Sequence, residues 1–350
     1  MDGSRAGSTV RHAHDGGANP LGSPEGANGH RTAIHTRSER EELEDAHLST
    51  GATRAVGAGH RKVAEEPDPL RTCFERDRDR ILHAQAFRRL AGKTQVFVFP
   101  DDHQRTRLTH ALEVAQVAVA IASAVGANTS LTEAIALGHD CGHGPGGHAS
   151  EDAFSPYVEG GYDHAVWGAD VVLEPLNLCT ETLDGIRNHS WSRPLPSTPE
   201  GEIVSWADRI AYVCHDMEDA ARVGIVSDEK LPRVVLERCG QRRSARLGAF
   251  IQGVIDAVHD TGQVSMTDPL AEALAAFRAF NYEHIYMRPE SLAQSESVIR
   301  LLRALVEHHI AEGASAEEAV GYVSGMTDRY AFDQARDLLG YPTSELPRGI

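Results

Sequence analysis

The sequence lacks the patterns that mark membrane and secreted proteins. No run of about 18 consecutive apolar residues occurs, so no segment reads as a transmembrane helix. The N-terminus is poor in large apolar residues and therefore does not resemble a secretory signal. The 5 cysteines include no CxxC pair, and their odd number favours reduced thiols over a disulfide framework. We therefore expect a cytoplasmic protein with no membrane partner.

Basic residues are scarce relative to acidic ones. The chain has 34 Lys and Arg against 51 Asp and Glu, which gives a formal net charge of −17. A broad nucleic-acid surface needs clustered positive charge, so nucleic acid is not an expected partner, although a local site stays open. An anionic small molecule is compatible with this composition if arginines and a metal ion supply positive charge inside a pocket.

The composition divides the chain into three parts. Residues 1–36 are rich in glycine and poor in large apolar residues, so we expect a disordered tail that cannot offset its chain entropy. Residues 37–70 form a mixed N-terminal arm. Residues 71–350 are expected to form one domain, with a metal core at about 105–225 and C-terminal helices at about 226–345.

Helical periodicity dominates this domain. Apolar residues recur at steps of three and four from Leu108 to Ala122, and Thr106 is a candidate cap. Ser130 and Glu133 resemble a capping box that opens a second helix, which a glycine-rich stretch ends after His139. Further helices are expected near 164–175, 179–189, 201–222, 266–286, 290–312, 315–324 and 327–339.

The segment 95–99 (QVFVF) is the one good strand candidate. The predicted fold class is therefore all-α, a helical bundle with peripheral helices and at most a short β-ribbon near 95–99.

Four residues on predicted helices form a candidate metal site, namely His110, His139, Asp140 and Asp208. Each alone has an ordinary explanation, because core histidines and arginine-paired carboxylates are common. Asp208 lies in an otherwise apolar helix, where an unpaired carboxylate is costly and needs a cation or strong donors. Two imidazoles and two carboxylates suit a divalent ion with open positions for water or phosphate.

Seven segments together resemble the deoxyguanosine triphosphate triphosphohydrolases of the HD superfamily, over roughly residues 37–340. The segments that carry the resemblance are 71–89 (RTCFERDRDRILHAQAFRR), 93–97 (KTQVF), 105–116 (RTRLTHALEVAQ), 131–151 (LTEAIALGHDCGHGPGGHASE), 177–189 (NLCTETLDGIRNH), 207–224 (ADRIAYVCHDMEDAARVG) and 325–331 (GMTDRYA).

The resemblance implies an all-helical enzyme that cleaves a dNTP into a deoxynucleoside and inorganic tripolyphosphate. It implies the metal ligands His110, His139, Asp140 and Asp208, with Mg²⁺ or Mn²⁺ as the ion. Around the α-phosphate it places His143, His148, Glu151 and His164. The implied phosphate contacts are Arg107 and Arg209, the deoxyribose contacts are Tyr212 and Asp216, and further substrate contacts are Arg278 and Tyr286.

In that family a histidine at the position of His148, oriented by an acid at the position of Glu151, is assigned to the chemistry. Such an imidazole could protonate the leaving oxygen or attack phosphorus, and a metal-activated water is the other candidate nucleophile. The family also implies a homo-oligomer, and a dNTP that activates hydrolysis of another in some members.

The sequence departs from the family pattern HDLGHTPFGH at Cys141 and at Gly146, where Leu and Phe are usual. Loss of the aromatic group predicts a looser loop or a wider pocket. Two other functions stay open: hydrolysis of another nucleotide phosphoester, and a dNTP-binding regulator with little catalysis.

Overall fold

The computed structural model describes residues 34–98, 100, 103–342 and 346. The predicted disordered tail therefore lies outside the described residues except at 34–36, and so does Phe99 of the strand candidate.

Fifteen α-helices make up the described chain. In order they are α1 (Arg37–His47), α2 (Cys73–His83), α3 (Gln85–Arg89), α4 (Arg107–Val125), α5 (Thr129–Gly138), α6 (Ala149–Phe154), α7 (His164–Trp167), α8 (Thr180–Asn188), α9 (Pro199–Arg222), α10 (Arg233–Cys239), α11 (Arg243–Thr261), α12 (Asp268–Asn281), α13 (Pro289–Ala311), α14 (Ala316–Ser324) and α15 (Asp328–Leu339).

The all-α prediction is confirmed. The described residues contain no strand; residues 95–98 form bends, and Thr94 makes only an isolated bridge with Thr106. The periodicity assigned no helix between 222 and 266, where α10 and α11 lie. The predicted helix 164–175 is α-helical only to Trp167 and continues as a π turn to Val172.

One predicted cap is wrong. The second core helix is capped by Asn128, whose side chain accepts hydrogen bonds from the backbone of Ser130 and Leu131. Ser130 thus lies inside the first turn of α5 and does not form the expected capping box with Glu133. An Asx cap two residues earlier satisfies the same free amides, which the sequence pattern alone did not distinguish.

The centre of the fold is α4. By length and composition it is the one helix in the described chain that could cross a membrane. It packs instead against α5 and α9, and its residues Val114, Ala118 and Ile121 are fully buried. Its apolar composition therefore reflects a position in the core, with the candidate metal residues at its N-terminal end.

A second apolar cluster joins α6 to the last three helices. It includes Phe154 from α6, Val298 and Leu302 from α13, Val320 from α14 and Phe332 from α15. Members of this C-terminal cluster pack beside the glycine-rich segment, since Phe154 lies next to Gly144 and Val298 next to Gly146.

Candidate active site

The four candidate metal ligands converge from three helices. His110 lies in the first turn of α4 and not in mid-helix as the sequence pattern indicated; His139 and Asp140 follow the last turn of α5, and Asp208 is on α9. His110 Nε2 lies 3.1 Å from Asp208 Oδ1, and His139 Nε2 lies 3.8 Å from the same oxygen. His139 Nε2 is 3.4 Å from Asp140 Oδ1. The ligand atoms of His110, His139 and Asp208 all lie within 4.8 Å of one another.

The donor set fits a divalent ion. Nδ1 of His139 lies 2.7 Å from the carbonyl of Ala136, which fixes that nitrogen as the donor and leaves Nε2 as a lone pair. This Nε2 is buried and has no hydrogen-bond partner among the described residues. A buried lone pair beside two carboxylates could bind a metal ion, and metal-binding histidines are commonly oriented by a backbone hydrogen bond on the other ring nitrogen.

Electrostatics keep both carboxylates ionised. Burial favours the neutral acid at Asp208, but a hydrogen bond to His110 and the nearby His139 lower its pKa well below the usual range. Burial acts in the same way on Asp140, where Arg107 and His139 overcome it and lower the pKa. Both side chains are therefore anionic at neutral pH, the state that a metal-binding carboxylate needs.

The glycine-rich segment after Asp140 turns the chain back to the same pocket. Gly146 and Gly147 have φ of 74° and 65°, which glycine adopts at no steric cost. The return places the His143 and His148 rings with their centroids 5.1 Å apart. His143 Nε2 lies 3.2 Å from Asp140 Oδ1. His148 lines the cavity. The surrounding protein removes water from its imidazole, and this desolvation, together with the charge of Arg107, lowers the pKa of His148 to about 4.

Glu151 lies near His148 but hydrogen-bonds to a different histidine, whereas the resemblance implied that it orients His148. Its Oε1 lies 2.6 Å from Nδ1 of His164 and 3.9 Å from Nδ1 of His143. His148 immediately precedes α6, and Glu151 lies in the first turn of that helix, so their helical spacing does not bring the two groups into a hydrogen bond. Burial lowers the pKa of His164, but Glu151 more than offsets this and raises it.

The site includes a histidine to which the sequence analysis gave no role. His189 follows α8, its Nδ1 lies 2.8 Å from the carbonyl of Ile186, and its Nε2 lies 3.3 Å from Nε2 of His164. Its ring centroid is 4.9 Å from that of His139. The sequence did contain a hint, because His189 ends the segment 177–189 that carries part of the family resemblance. Its spacing, however, does not relate it to the candidate ligands His110, His139, Asp140 and Asp208.

Arg107 has free hydrogen-bonding capacity inside the pocket. One guanidinium nitrogen donates to Asp140 Oδ2 at 2.8 Å. The Nε and Nη2 groups are buried without a partner in the described part of the chain. A buried guanidinium with free donors beside candidate metal ligands is suited to a phosphate oxygen.

Two further arginines, on α9 and α12, line the pocket. The Arg209 guanidinium stacks on the Trp191 ring, 3.3 Å from its centroid, and its Nε is buried without a partner within the described ranges. Arg278 is exposed, and its Nε donates to the hydroxyl of Tyr212 at 3.1 Å. Trp191 thus holds one cation by a cation–π contact, and Tyr212 holds the other.

Asp216 is a buried carboxylate on the same wall of the cavity. Tyr286 donates its hydroxyl proton to Asp216 Oδ2, while Oδ1 is buried and unpartnered among the residues described. Burial raises the pKa of Asp216 to about 7. Asp208, Tyr212 and Asp216 follow one another at four-residue intervals on α9 and all face the same cavity, as their spacing predicted.

The cavity that joins these groups has a volume of about 500 Å³. Of the residues that the sequence analysis singled out, His139 and Glu151 lie behind its wall. The others line it: Arg107, His110, Asp140, His143, His148, His164, Asp208, Arg209, Tyr212, Asp216, Arg278 and Tyr286.

The structure also shows what stands beside the unusual Gly146. A Cβ at this position would lie 2.4 Å from Cγ1 of Val298 on α13. Both residues line the cavity, and Val298 is fully buried. Val298 therefore fills the space next to the loop in which a larger side chain at 146 would have to fit.

Comparison with known proteins places this geometry in a family. The HD domain family matches residues 107–213, which contain all four candidate metal ligands. A deoxyguanosinetriphosphate triphosphohydrolase-like protein of Caldanaerobacter subterraneus subsp. tengcongensis is 40% identical over 326 residues, which cover 87% of this chain and 96% of the relative. Proteins of the same description from Clostridium perfringens and Desulfatibacillum aliphaticivorans are 36% and 35% identical over 85% and 89% of this chain, and 96% and 99% of the relatives.

These relatives match nearly their whole length, so the likeness extends beyond the HD core to the helices that complete the pocket. The chain belongs to the deoxyguanosinetriphosphate triphosphohydrolase-like family of HD-superfamily phosphohydrolases.

Proposed function

We propose that this protein hydrolyses deoxynucleoside triphosphates to a deoxynucleoside and inorganic tripolyphosphate, with Mg²⁺ or Mn²⁺ bound to His110, His139, Asp140 and Asp208. The observation that carries the proposal is one cavity lined by His110, Asp140 and Asp208 of that cluster, by Arg107 with two free nitrogens, and by Tyr212 and Asp216. Its volume of about 500 Å³ suits a nucleotide-sized ligand.

In this proposal the divalent ion, when bound, polarises a phosphoryl oxygen and neutralises phosphate charge. Arg107 binds an oxygen of the α-phosphate through its free nitrogens, and Arg209 and Arg278 bind the outer phosphates. His148 is largely neutral at pH 7, because its pKa is about 4. A neutral imidazole can accept a proton from an attacking water or attack phosphorus itself.

The Glu151–His164 pair has a different role. The carboxylate holds a proton on Nδ1 of His164, whose pKa is raised. His164 can therefore carry positive charge beside His143, where it stabilises developing negative charge and supplies a proton to the leaving 5′-oxygen. Tyr212, Asp216 and Tyr286 position the deoxyribose.

We further propose that the protein is a homo-oligomer in the cytoplasm. It binds one dNTP as substrate and a second dNTP as activator.

The test is product analysis with each dNTP singly and in mixtures, with Mg²⁺, with Mn²⁺ and with EDTA. Deoxynucleoside plus tripolyphosphate, abolished by EDTA, is the expected result. Release of pyrophosphate or monophosphate would identify a different phosphohydrolase. Tight dNTP binding with no product in any mixture would identify a regulator.

A further inference from the structure

The glycine-rich loop, defined here as residues 142–147, is held by side chains from outside it. Tyr162 donates to the carbonyl of Gly142 at 2.6 Å, and Ser150 accepts from the amide of Gly144 at 3.1 Å. The Lys93 ammonium donates to the carbonyl of His143. The amide of Gly146 donates to Asp328 Oδ1 at 2.9 Å. Side chains from outside the loop thus bind the backbone of four of its six residues.

Asp328 is the most distant of these partners along the chain. It lies 182 residues after Gly146, in the first turn of α15, and is only 3% exposed. Its second oxygen, Oδ2, accepts from the amide of Thr94 at 2.9 Å and from the Thr94 hydroxyl. One carboxylate therefore ties the glycine-rich loop to the segment 94–98.

These two segments are neighbouring parts of the cavity wall. Thr94, Gln95, Val96 and Val98 line it from one segment, and Gly146 and His148 line it in and just after the glycine-rich loop. Lys93 adds a second link, because its ammonium donates both to the carbonyl of His143 in the loop and to the carbonyl of Ser324 at 2.9 Å. Ser324 and Asp328 lie at the two ends of the connection between α14 and α15. They bind Lys93, Thr94 and Gly146, but neither of them lines the cavity.

We propose that Asp328 is a positioning residue, which holds the glycine-rich loop against segment 94–98 so that His143 and His148 face the phosphate. This inference rests on the proposed function for its kinetic consequence but not for its structural one. A neutral amide cannot replace the carboxylate, since it accepts through one atom only and presents N–H groups to the second segment.

The first arm of the test is hydrogen exchange of wild type and Asp328→Asn, followed peptide by peptide. Exchange in peptides spanning 142–149 or 94–98 should accelerate by about tenfold, because a buried amide loses its acceptor. Asp337→Asn, an identical change on the exposed face of the same helix, should leave both segments unchanged. Lys93→Met removes the ammonium that binds the carbonyl of His143 and should also accelerate exchange in peptides spanning 142–149.

The second arm is kinetic. Asp328→Asn should lower kcat by about tenfold with KM and metal content nearly unchanged, and should add no further loss in a His148→Ala background.

A residue needed only for folding would instead lower Tm, speed exchange throughout α13–α15, and add its full loss in the double variant. Unchanged exchange in both segments, or additive kinetics, would overturn the proposal. If the wild type hydrolyses no dNTP, the proposed function fails, while the exchange arm still decides whether Asp328 positions the loop.

Discussion

Glu151 hydrogen-bonds to His164, thirteen residues away, and not to His148, three residues away. The carboxylate lies 2.6 Å from Nδ1 of His164, whose ring stacks on His143 with a centroid separation of 3.7 Å. The acid therefore acts directly on the stacked pair His143–His164. Two histidines of the pocket thus differ in protonation: the pKa of His148 is lowered to about 4, whereas the pKa of His164 is raised.

The first prediction concerns this contact. Glu151→Gln should lower the pKa of His164, because the buried imidazolium loses the carboxylate that raises it. Turnover should fall by about 10²-fold or more, a range expected for loss of acid–base function. Histidine-selective NMR titration and steady-state kinetics measure the two effects. Asp152→Asn, at an exposed neighbour on α6, is the control, and an unchanged His164 pKa in Glu151→Gln would contradict the assignment.

The second prediction concerns metal binding. Asp208→Ala should lose both bound metal and activity, because Oδ1 of Asp208 lies within 3.1 Å of His110 Nε2 and 3.8 Å of His139 Nε2 and so joins the two imidazoles of the cluster. Elemental analysis after dialysis and dNTP hydrolysis provide the readouts. Asp256→Ala, on the exposed face of α11, should retain both. Stoichiometric metal with normal turnover in Asp208→Ala would remove Asp208 from the ligand set.

The third prediction separates chemistry from binding. His148→Ala should keep metal and nucleotide binding while kcat falls by about 10²-fold or more, since the ring faces the cavity and is not within the His110–Asp208 cluster. Single-turnover kinetics with calorimetry of dNTP binding measures the split. His259→Ala on the surface serves as the comparison variant. Near-normal turnover would exclude His148 from the reaction.

The fourth prediction is a pH dependence of stability. The pKa of Asp216 is raised to about 7, so the folded state binds a proton that the unfolded chain releases near pH 4. The free energy of unfolding should therefore fall as pH rises between these values. Relative to Asp216→Asn, the metal-free wild type should lose about 2–3 kcal/mol between pH 5 and pH 8.

Urea denaturation at both pH values measures this difference. Asp256→Asn should reproduce the wild-type slope because its side chain is exposed. Equal pH slopes for the wild type and Asp216→Asn would show that Asp216 ionises normally in the folded protein.

The fifth prediction tests how Val298 packs against the loop. Gly146→Ala combines a left-handed backbone, at a φ of 74°, with a Cβ that would lie 2.4 Å from Val298 Cγ1. Gly160 has a similar φ of 80° and open space around it, so Gly160→Ala carries only the backbone cost, about 1 kcal/mol. Gly146→Ala should be more destabilising than Gly160→Ala by about 1–3 kcal/mol, the usual range for overpacking.

Thermal and chemical unfolding of these variants measures the difference. The double variant with Val298→Ala should recover part of it, because the shorter side chain removes the clashing methyl group. Equal destabilisation at positions 146 and 160 would show that the valine yields without cost.

Much of the site was predictable because its chemistry is carried by residue type and order. His110, the His139–Asp140 pair and Asp208 are polar residues set in apolar helices, and the core packing of α4, α5 and α9 brings them together. The stripe from Asp208 through Tyr212 to Asp216 followed from the 3.6-residue period alone. The all-α fold followed from the same periodicity.

The errors arose where local spacing competed with longer-range contacts. Asn128 caps the N-terminus of α5 although Ser130 and Glu133 fit the cap pattern. The position of an N-terminal cap depends on the residue at which the backbone enters the helix, and the sequence pattern does not fix that residue. His189 joins the pocket because α8 packs against α5 and α9. No spacing in the chain relates it to His164.

The sequence by itself determined which chemistry the chain can carry. It supplies the imidazoles and carboxylates of the candidate metal site, arginines close to them in the chain, and the apolar periodicity of the helices that hold them. The tertiary structure alone decided which groups are partners. Glu151 with His164, Gly146 beside Val298, and Asp328 on the glycine-rich loop are contacts between distant segments. Their physical reason is packing, which brings residues that are separated along the chain into contact, and most polar groups buried by that packing pair with a neighbour in space.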